Sequence, residues 1–409
     1  MILEKKIRIN LFVLAMLVLV AAVTMLTAGC GTDGIIGKID GEPYDTIGSE
    51  ISNEVVEPLL EPDIVKTITI AAVGDIMGHM PQVNAAYIKD ERKYDFTDNF
   101  AEVRYVFVSS DIVVGNLETT LAGPDRGFSG YPMFNTPDEL AGALAWAGFD
   151  VLSTANNHSL DRGESGVLRT LEVLKQHDLL TVGTASSEED RDSSKIMSRE
   201  GINVGFLAYT YGTNGIPIPM GKDYLVNLID EELIANDIAK IRTKVDLVVV
   251  SMHWGNEYQR EPNASQEELA RKLIGWGADI ILGSHPHVVQ PMEFIEVIQE
   301  DGEARTGFVI YSLGNFISNQ RDRYRDSGVI LQIDVEKNFT SNKLEISEVN
   351  YISTWVHKYY FNNKWNYRIL PTEDFIVQYS LGEDKLLVED DYHRLIEVWN
   401  DTNKHLGQR

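Results

Sequence analysis

The chain has a single cysteine, Cys30, so no disulfide can form within it and its stability must come from a packed core. Basic residues are also scarce: 36 Lys and Arg stand against 62 Asp and Glu, a formal charge of −26. A field of that sign repels polyanions at long range. It excludes nucleic acid as a partner, and any anionic polymer must then be received in a local basic or metal-bearing cleft. Internal repeats are absent, and low complexity is confined to one N-terminal stretch.

That N-terminus carries Lys5, Lys6 and Arg8, an apolar run over 11–23, and then Leu26-Thr27-Ala28-Gly29-Cys30. A positive end, a short hydrophobic segment and small residues before a cut read as a secretory signal over residues 1–29. The Ala-Gly-Cys ending resembles a bacterial lipobox, which implies cleavage before Cys30 and lipid on its sulfur. An uncleaved signal anchor is the alternative. On either reading the folded part is expected on the extracytoplasmic face of the cell membrane. Residues 30–65 are rich in Gly, Asp, Glu and Pro without an apolar period, and read as an acidic tether reaching roughly 30 Å.

From residue 66 onward, short β-rich runs alternate with amphipathic stretches. Strands are expected at 67–73, 111–115, 151–154, 204–210, 246–252, 280–283, 307–313 and 329–335, and helices at 137–147, 163–177, 231–243 and 266–276. This alternation predicts an α/β fold with buried sheets covered by helices, the main domain spanning 66–335. Residues 336–409 read as an extension packed on the same domain. The aromatics Trp355, Tyr359, Tyr360, Phe361, Trp365 and Tyr367 suit a covering hairpin, with a substrate-stacking or partner-binding surface as the alternative. A terminal helix is expected over 390–403.

Polar chemistry collects where strands end. Asp75, the pair Asn116 and Glu118, the group Asn156, Asn157, His158 and Asp161, then His253, and finally His285 with His287 each follow an expected strand. A rigid sheet positions such loop side chains, and five loops of this kind predict one shared centre. Carboxylates, Asn carbonyls and neutral imidazoles together are ligands for Mn²⁺, Zn²⁺ or Fe²⁺. Taken singly, several have plainer readings. Asp75 could cap a helix, Glu118 could be a solvated acid, the Asn-Asn-His run could be a turn and His253 a core histidine. The pair His285 and His287 is different, because imidazoles two apart on an extended chain point the same way. His79, His177 and His357 lack such a setting and read as structural or surface residues.

The run Phe149-Asp150-Val151-Leu152-Ser153-Thr154-Ala155-Asn156-Asn157-His158, followed by Asp161, Gly163 and Gly166, resembles the bacterial capsule-synthesis CapA family. So do Ala72-Val73-Gly74-Asp75, Gly115-Asn116-Leu117-Glu118, His253-Trp254-Gly255-Asn256-Glu257-Tyr258, Gly283-Ser284-His285-Pro286-His287 and Tyr311-Ser312-Leu313-Gly314-Asn315-Phe316. The resemblance implies a metallophosphatase-like two-sheet sandwich flanked by helices, four layers in all. It implies a role in making or exporting an anionic capsule polymer of the poly-γ-glutamate type.

By the same resemblance Asp75 and His287 would hold one ion, Asn157, His253 and His285 a second, and His158 would be the general acid. Two departures stand out. Met77 occupies a position that is histidine in the usual motif, and Asn116 falls where a bridging aspartate is usual, so a charged bridge requires Glu118 to reach in. One ion or two are both compatible with this set. Asn156, Asp161, Asn315, Arg321 and Arg323 complete the expected substrate contacts, and Arg325 joins the two arginines as a trio either facing the centre or forming a solvated loop. Two function classes follow: a metal-dependent hydrolase of phosphoester or related bonds, or a non-catalytic subunit of a membrane polymer-synthase and export complex.

Overall fold

The computed structural model describes residues 64–407. These belong to one compact unit, Pro62–Arg409. The expected signal peptide, Cys30 and the tether up to residue 63 lie outside the described residues. Among those described, no helix is long and apolar enough to cross a membrane.

In chain order the strands are β1 (Val65–Ile76), β2 (Tyr87–Ile88), β3 (Lys93–Tyr94), β4 (Ile112–Leu117), β5 (Val151–Ser153), β6 (Leu180–Val182), β7 (Lys195–Arg199) and β8 (Ile202–Thr210). They continue with β9 (Leu247–His253), β10 (Ile280–Ser284), β11 (Val289–Ile298), β12 (Ala304–Leu313), β13 (Asn315–Ile317), β14 (Ser327–Asn338), β15 (Lys343–Phe361) and β16 (Lys364–Pro371). One sheet has the order β16-β15-β14-β1-β4-β5-β6, with β13 paired to the end of β1; the other runs β11-β12-β10-β9-β8-β7. β1, β4, β5 and β6 are parallel, as are β8, β9, β10 and β12, while the strands at the flanks are antiparallel.

The layers follow from the period-2 alternation of buried strands. Ile68, Ile70 and Ala72 of β1 face inward with Ile112 and Val114, and they meet Val204, Phe206, Val249, Ile280 and Ile310 of the second sheet. The intervening Ala71 and Val73 point outward to Leu140, Leu144, Val173 and Leu174, on the helices Glu139–Ala147 and Gly163–Gln176. Across the molecule Val248, Val250 and Met252 meet Ile234, Ile238, Leu273 and Ile274, on the helices Glu231–Arg242 and Ala264–Trp276. The fold is therefore α/β, two stacked sheets between two helical layers. Strands buried on both faces read as unbroken apolar runs, which is why β1 and β9 stand out in the sequence. Ile70, wholly buried between the sheets, would cost about 2–5 kcal/mol if cut to alanine.

Local signals set the helix starts. Asp230 accepts the Leu233 amide at the head of Glu231–Arg242, and Asn263 with Gln266 forms a capping box at the head of Ala264–Trp276. The C-terminal helix Glu389–Leu406 packs Leu395 and Val398 against Trp355, Leu370 and Phe375. Its polar side reaches two loops, through His405 to Arg260 and through Arg394 to Asp326.

Candidate metal centre

The parallel strands of both sheets end on the same side, and there the polar residues meet. Asp75 near the end of β1 is in register with Asn116 of β4 on one flank and Asn315 of β13 on the other. His253, the last residue of β9, is in register with Ser284 of β10 and Thr210 of β8. Two glycines allow this close approach. A Cβ on Gly74 would lie 2.0 Å from the Gly314 carbonyl oxygen, and one on Gly283 would lie 1.9 Å from that of Tyr311.

Five side chains converge, all at most 3% exposed. Ligand atoms of Glu118, His285 and His287 lie within 4.8 Å of one another, as do those of Asp75, Glu118 and His253. Glu118 belongs to both groups. Its Oε1 is 3.8 Å from Nε2 of His253 and 3.8 Å from Nε2 of His287, and among the described residues neither of its buried carboxylate oxygens has a hydrogen-bond partner. Nδ1 of His285 is likewise buried and unpartnered. Such orphans are rare in folded proteins because each costs desolvation energy. A carboxylate and imidazoles held bare toward one another fit a divalent cation, so the residues present suit the group that the sequence implied.

The electrostatics agree. Burial, reinforced by Asp75, pushes the Glu118 carboxyl well above its ordinary value. Burial alone would raise Asp75 too, but the hydrogen bond and charge of His287 and the bond from Asn116 bring it below the usual carboxylate range. Burial and the neighbouring His285 hold His253 well below its normal value, and burial with His287 brings His285 to about 4. Neutral imidazole is the form that ligates metal.

Around these five lies a polar frame. His287 Nδ1 is 3.0 Å from Asp75 Oδ2 and 3.1 Å from Asn315 Oδ1. His253 Nε2 is 2.9 Å from Asn157 Oδ1, and its Nδ1 is 3.0 Å from Ser284 Oγ. Asn116, expected as a ligand, donates its amide to Asp75 Oδ1 at 2.8 Å. The carboxylate two residues further on takes the shared position, because both alternate side chains of this strand end point to the centre. Asn156 donates to the Leu117 carbonyl at 2.8 Å and accepts from the His158 amide at 3.1 Å, so it shapes the loop. His158 Nδ1 is 2.7 Å from Asp161 Oδ2, which also accepts the Phe134 amide at 2.6 Å. That carboxylate fixes the tautomer and leaves Nε2 available for proton transfer.

Three sequence expectations need correction. His285 and His287 do not lie on extended backbone: their φ angles are 97° and 59°, in the left-handed region that non-glycine residues rarely adopt. Strain of about 1–3 kcal/mol each is characteristic of functional loops. Arg323 does not face the centre, since it forms a two-pronged pair with Asp401 at 2.8 and 2.9 Å. Arg321 donates to the Val356 carbonyl at 2.7 Å and is likewise engaged elsewhere. Arg325 alone of the trio approaches, stacked on Tyr258.

Tyr211, outside the motifs, and Tyr258, named there only as part of one, are partly exposed beside the centre. Tyr211 covers His285 at 4.6 Å between ring centres, and Tyr258 lies 6.1 Å from His287. Tyr211 directly follows β8 and the strand-end rule would have found it. His79 is half-buried against Phe134 at 5.1 Å, and its Nδ1 accepts the Asn319 amide at 3.3 Å.

Comparison with known proteins bears on the same stretch of chain. The model of the bacterial capsule synthesis protein family PGA_cap matches residues 69–320. The chain is 32% identical over 295 residues to the capsule biosynthesis protein CapA of Bacillus anthracis, covering 68% of this chain and 66% of that one. It is also 32% identical to the PGA biosynthesis protein CapA of Bacillus subtilis, covering 69% and 71%. It thus spans about two thirds of the length of these curated relatives. Among solved structures, the calcineurin-like phosphoesterase YfkN of Bacillus subtilis superposes with a TM-score of 0.41 and 14% identity, over 71% of this chain and 91% of that one.

Proposed function

This chain belongs to the bacterial capsule synthesis family PGA_cap, and on that footing we propose that it is a lipid-anchored, extracytoplasmic metal-dependent hydrolase acting in synthesis or export of a poly-γ-glutamate-type capsule polymer. The observation that carries the reading is Glu118, an unpartnered buried carboxylate shared by two ligand groups. Two cations at short range repel strongly unless an anion lies between them. Glu118 supplies that charge where Asn116 cannot. By these groups Asp75, Glu118 and His253 would hold one Mn²⁺, Zn²⁺ or Fe²⁺ ion, with Asn157 beside His253, and Glu118, His285 and His287 the other, whereas the resemblance pairs Asp75 with His287 and sets His285 with His253 and Asn157.

When bound, such ions polarise a phosphoryl or carbonyl oxygen and lower the pKa of water. The chain's own residues do the rest. Asp161 orients His158, whose Nε2 would deliver the proton to the leaving group. Asn116, Asn315 and Ser284 hold the ligand side chains by their second atoms. Tyr211 and Tyr258 shield the imidazoles from bulk water.

A second reading is favoured by Met77, buried where the related motif has histidine. Met is a poor ligand for a hard cation. In that case the centre binds carboxylates of the polymer without cleaving it, as an accessory subunit of a membrane synthase and export complex. Elemental analysis of the full-length chain with a generic phosphodiester assay separates the two. Bound metal with turnover that His158→Ala abolishes supports the hydrolase, bound metal with no turnover supports the accessory role, and no stoichiometric metal refutes both. Failure of the Cys30→Ser chain to leave the membrane fraction would refute the lipid anchor.

A further inference from the structure

The C-terminal helix Glu389–Leu406 contributes no ligand, yet it holds both loops beside the centre. On the loop after β9, His405 Nε2 donates to the Arg260 carbonyl at 2.9 Å, and Arg260 donates back to the Asp401 carbonyl at 3.3 Å. On the loop between β13 and β14, Asp326 is buried against Arg394 of the helix at 2.6 and 3.1 Å and accepts the Trp355 indole at 2.9 Å. Arg323 of the same loop pairs with Asp401. The two loops meet in a pair of stacks. The Arg260 guanidinium lies 4.1 Å from the Tyr324 ring centre, and that of Arg325 lies 3.4 Å from the Tyr258 ring centre.

Tyr258 and Tyr324 both have left-handed backbone, φ 68° and 73°, a conformation that persists only where surroundings impose it. Tyr258 is further tied by its amide to the Pro286 carbonyl, between the two histidines, at 2.8 Å. On the other loop the Arg325 carbonyl accepts the Asn315 amide at 2.7 Å, and Asn315 contacts His287. Arg325 is thus tied to the ligand set from two sides, by its backbone carbonyl through Asn315 and by its guanidinium through Tyr258.

We propose that Arg325 recognises a second anionic group on the substrate of this centre, beside the one that the metal takes. The inference rests on the metal-centre reading above and adds a determinant of substrate class. Of the arginines here, Arg321 and Arg323 are committed to a carbonyl and to Asp401, but among the described residues Arg325 is ion-paired only with Asp322, an acid 76% exposed. An exposed pair of that kind contributes little and yields readily to a ligand. A guanidinium stacked on an aromatic face is held flat with its donors directed outward, the geometry that takes carboxylate or phosphoryl oxygens two at a time. In a chain of net charge −26, a cation placed here selects substrates with more than one negative group.

The test uses the full-length chain in detergent, loaded with Mn²⁺, and titration calorimetry with three probes. Inorganic phosphate reports the metal centre alone, whereas tri-γ-glutamate and pyrophosphate carry further carboxylates or a further phosphoryl group. The expected result is that Arg325→Gln weakens a multi-anion probe about tenfold, with Arg325→Lys recovering part, while phosphate affinity stays within about twofold. Which probe loses affinity identifies the second group as carboxylate or phosphoryl. Equal loss for phosphate, no loss for either larger probe, or a wild type that gains nothing from a second anion would overturn the proposal while leaving the centre standing. A wild type without metal-dependent phosphate binding removes the centre itself, and this inference with it.

Discussion

Replacing Glu118 by methionine should make the metal-free chain more stable and the metal-treated chain indifferent to metal. The side chain is wholly buried, and among the described residues neither oxygen has a hydrogen-bond partner. An unsatisfied buried polar group costs about 1–3 kcal/mol, and an apolar residue of similar length removes that cost. Unfolding entropy of ~2.1 cal/mol/K per residue gives ~0.7 kcal/mol/K over residues 64–407. The metal-free variant should therefore melt about 1–4 °C above the wild type. Conversely, a cation at a thousandfold its Kd stabilises by about 4 kcal/mol, or about 6 °C. Differential scanning fluorimetry in chelator and in Mn²⁺ reads both numbers. Wild type should rise by about 6 °C with Mn²⁺ and Glu118→Met by less than about 1 °C. A variant that keeps the full metal-induced rise, or that melts below the wild type in chelator, would refute the assignment of Glu118 as the shared ligand.

His158→Ala should lower phosphodiester turnover by about 10²–10⁴-fold while metal content stays unchanged, because the ring is held by Asp161 and lies outside both ligand groups. Arg394→Met strips the partner from buried Asp326 and should cost about 3–5 kcal/mol by urea denaturation; a loss under about 1 kcal/mol would show that the C-terminal helix is not latched there. His79 is brought down to about 4, chiefly by burial and then by His287. The unfolded chain takes up this proton near pH 6.5 and the folded chain does not, so in chelator stability should fall as pH drops from 6.5 toward 4. His79→Gln should flatten part of that slope in urea titrations at stepped pH, and an unchanged slope would exclude the residue.

The strands most legible in the sequence were those buried on both faces. The runs expected at 67–73, 204–210 and 280–283 lie within β1, β8 and β10, since continuous Val, Ile and Ala have no other place to go. β7 and β11 escaped because they are flanking strands whose sides are partly wet: Glu293, Phe294 and Glu296 of β11 are exposed and break any apolar run. β13 is only Asn315–Ile317 and owes its identity to Asp75 opposite it, a tertiary fact. In the centre, residue types at strand ends announced Asp75, Glu118, His253, His285 and His287. The roles of Asn116 and Glu118 depend on the partners each meets, Asp75 for the amide and the His253 and His287 imidazoles for the carboxylate, which lie in other elements. The partners of Arg321 and Arg323 lie in other elements, Val356 of β15 and Asp401 of the C-terminal helix, beyond the reach of local pattern.

The placement of β1 has a consequence for how the molecule comes into being. This first strand lies between β4, which emerges soon after it, and β14, which ends at Asn338. Asp75 therefore waits for His287 and Asn315 until more than two hundred residues have followed it out of the ribosome. A product cut short before that point would contain the first carboxylate and the central acid yet lack His287, which pairs with Asp75, and it would leave one edge of β1 unpaired and prone to self-association. Maturation of the centre is thus tied to completion of the chain, and an interrupted copy cannot sequester metal by the same means.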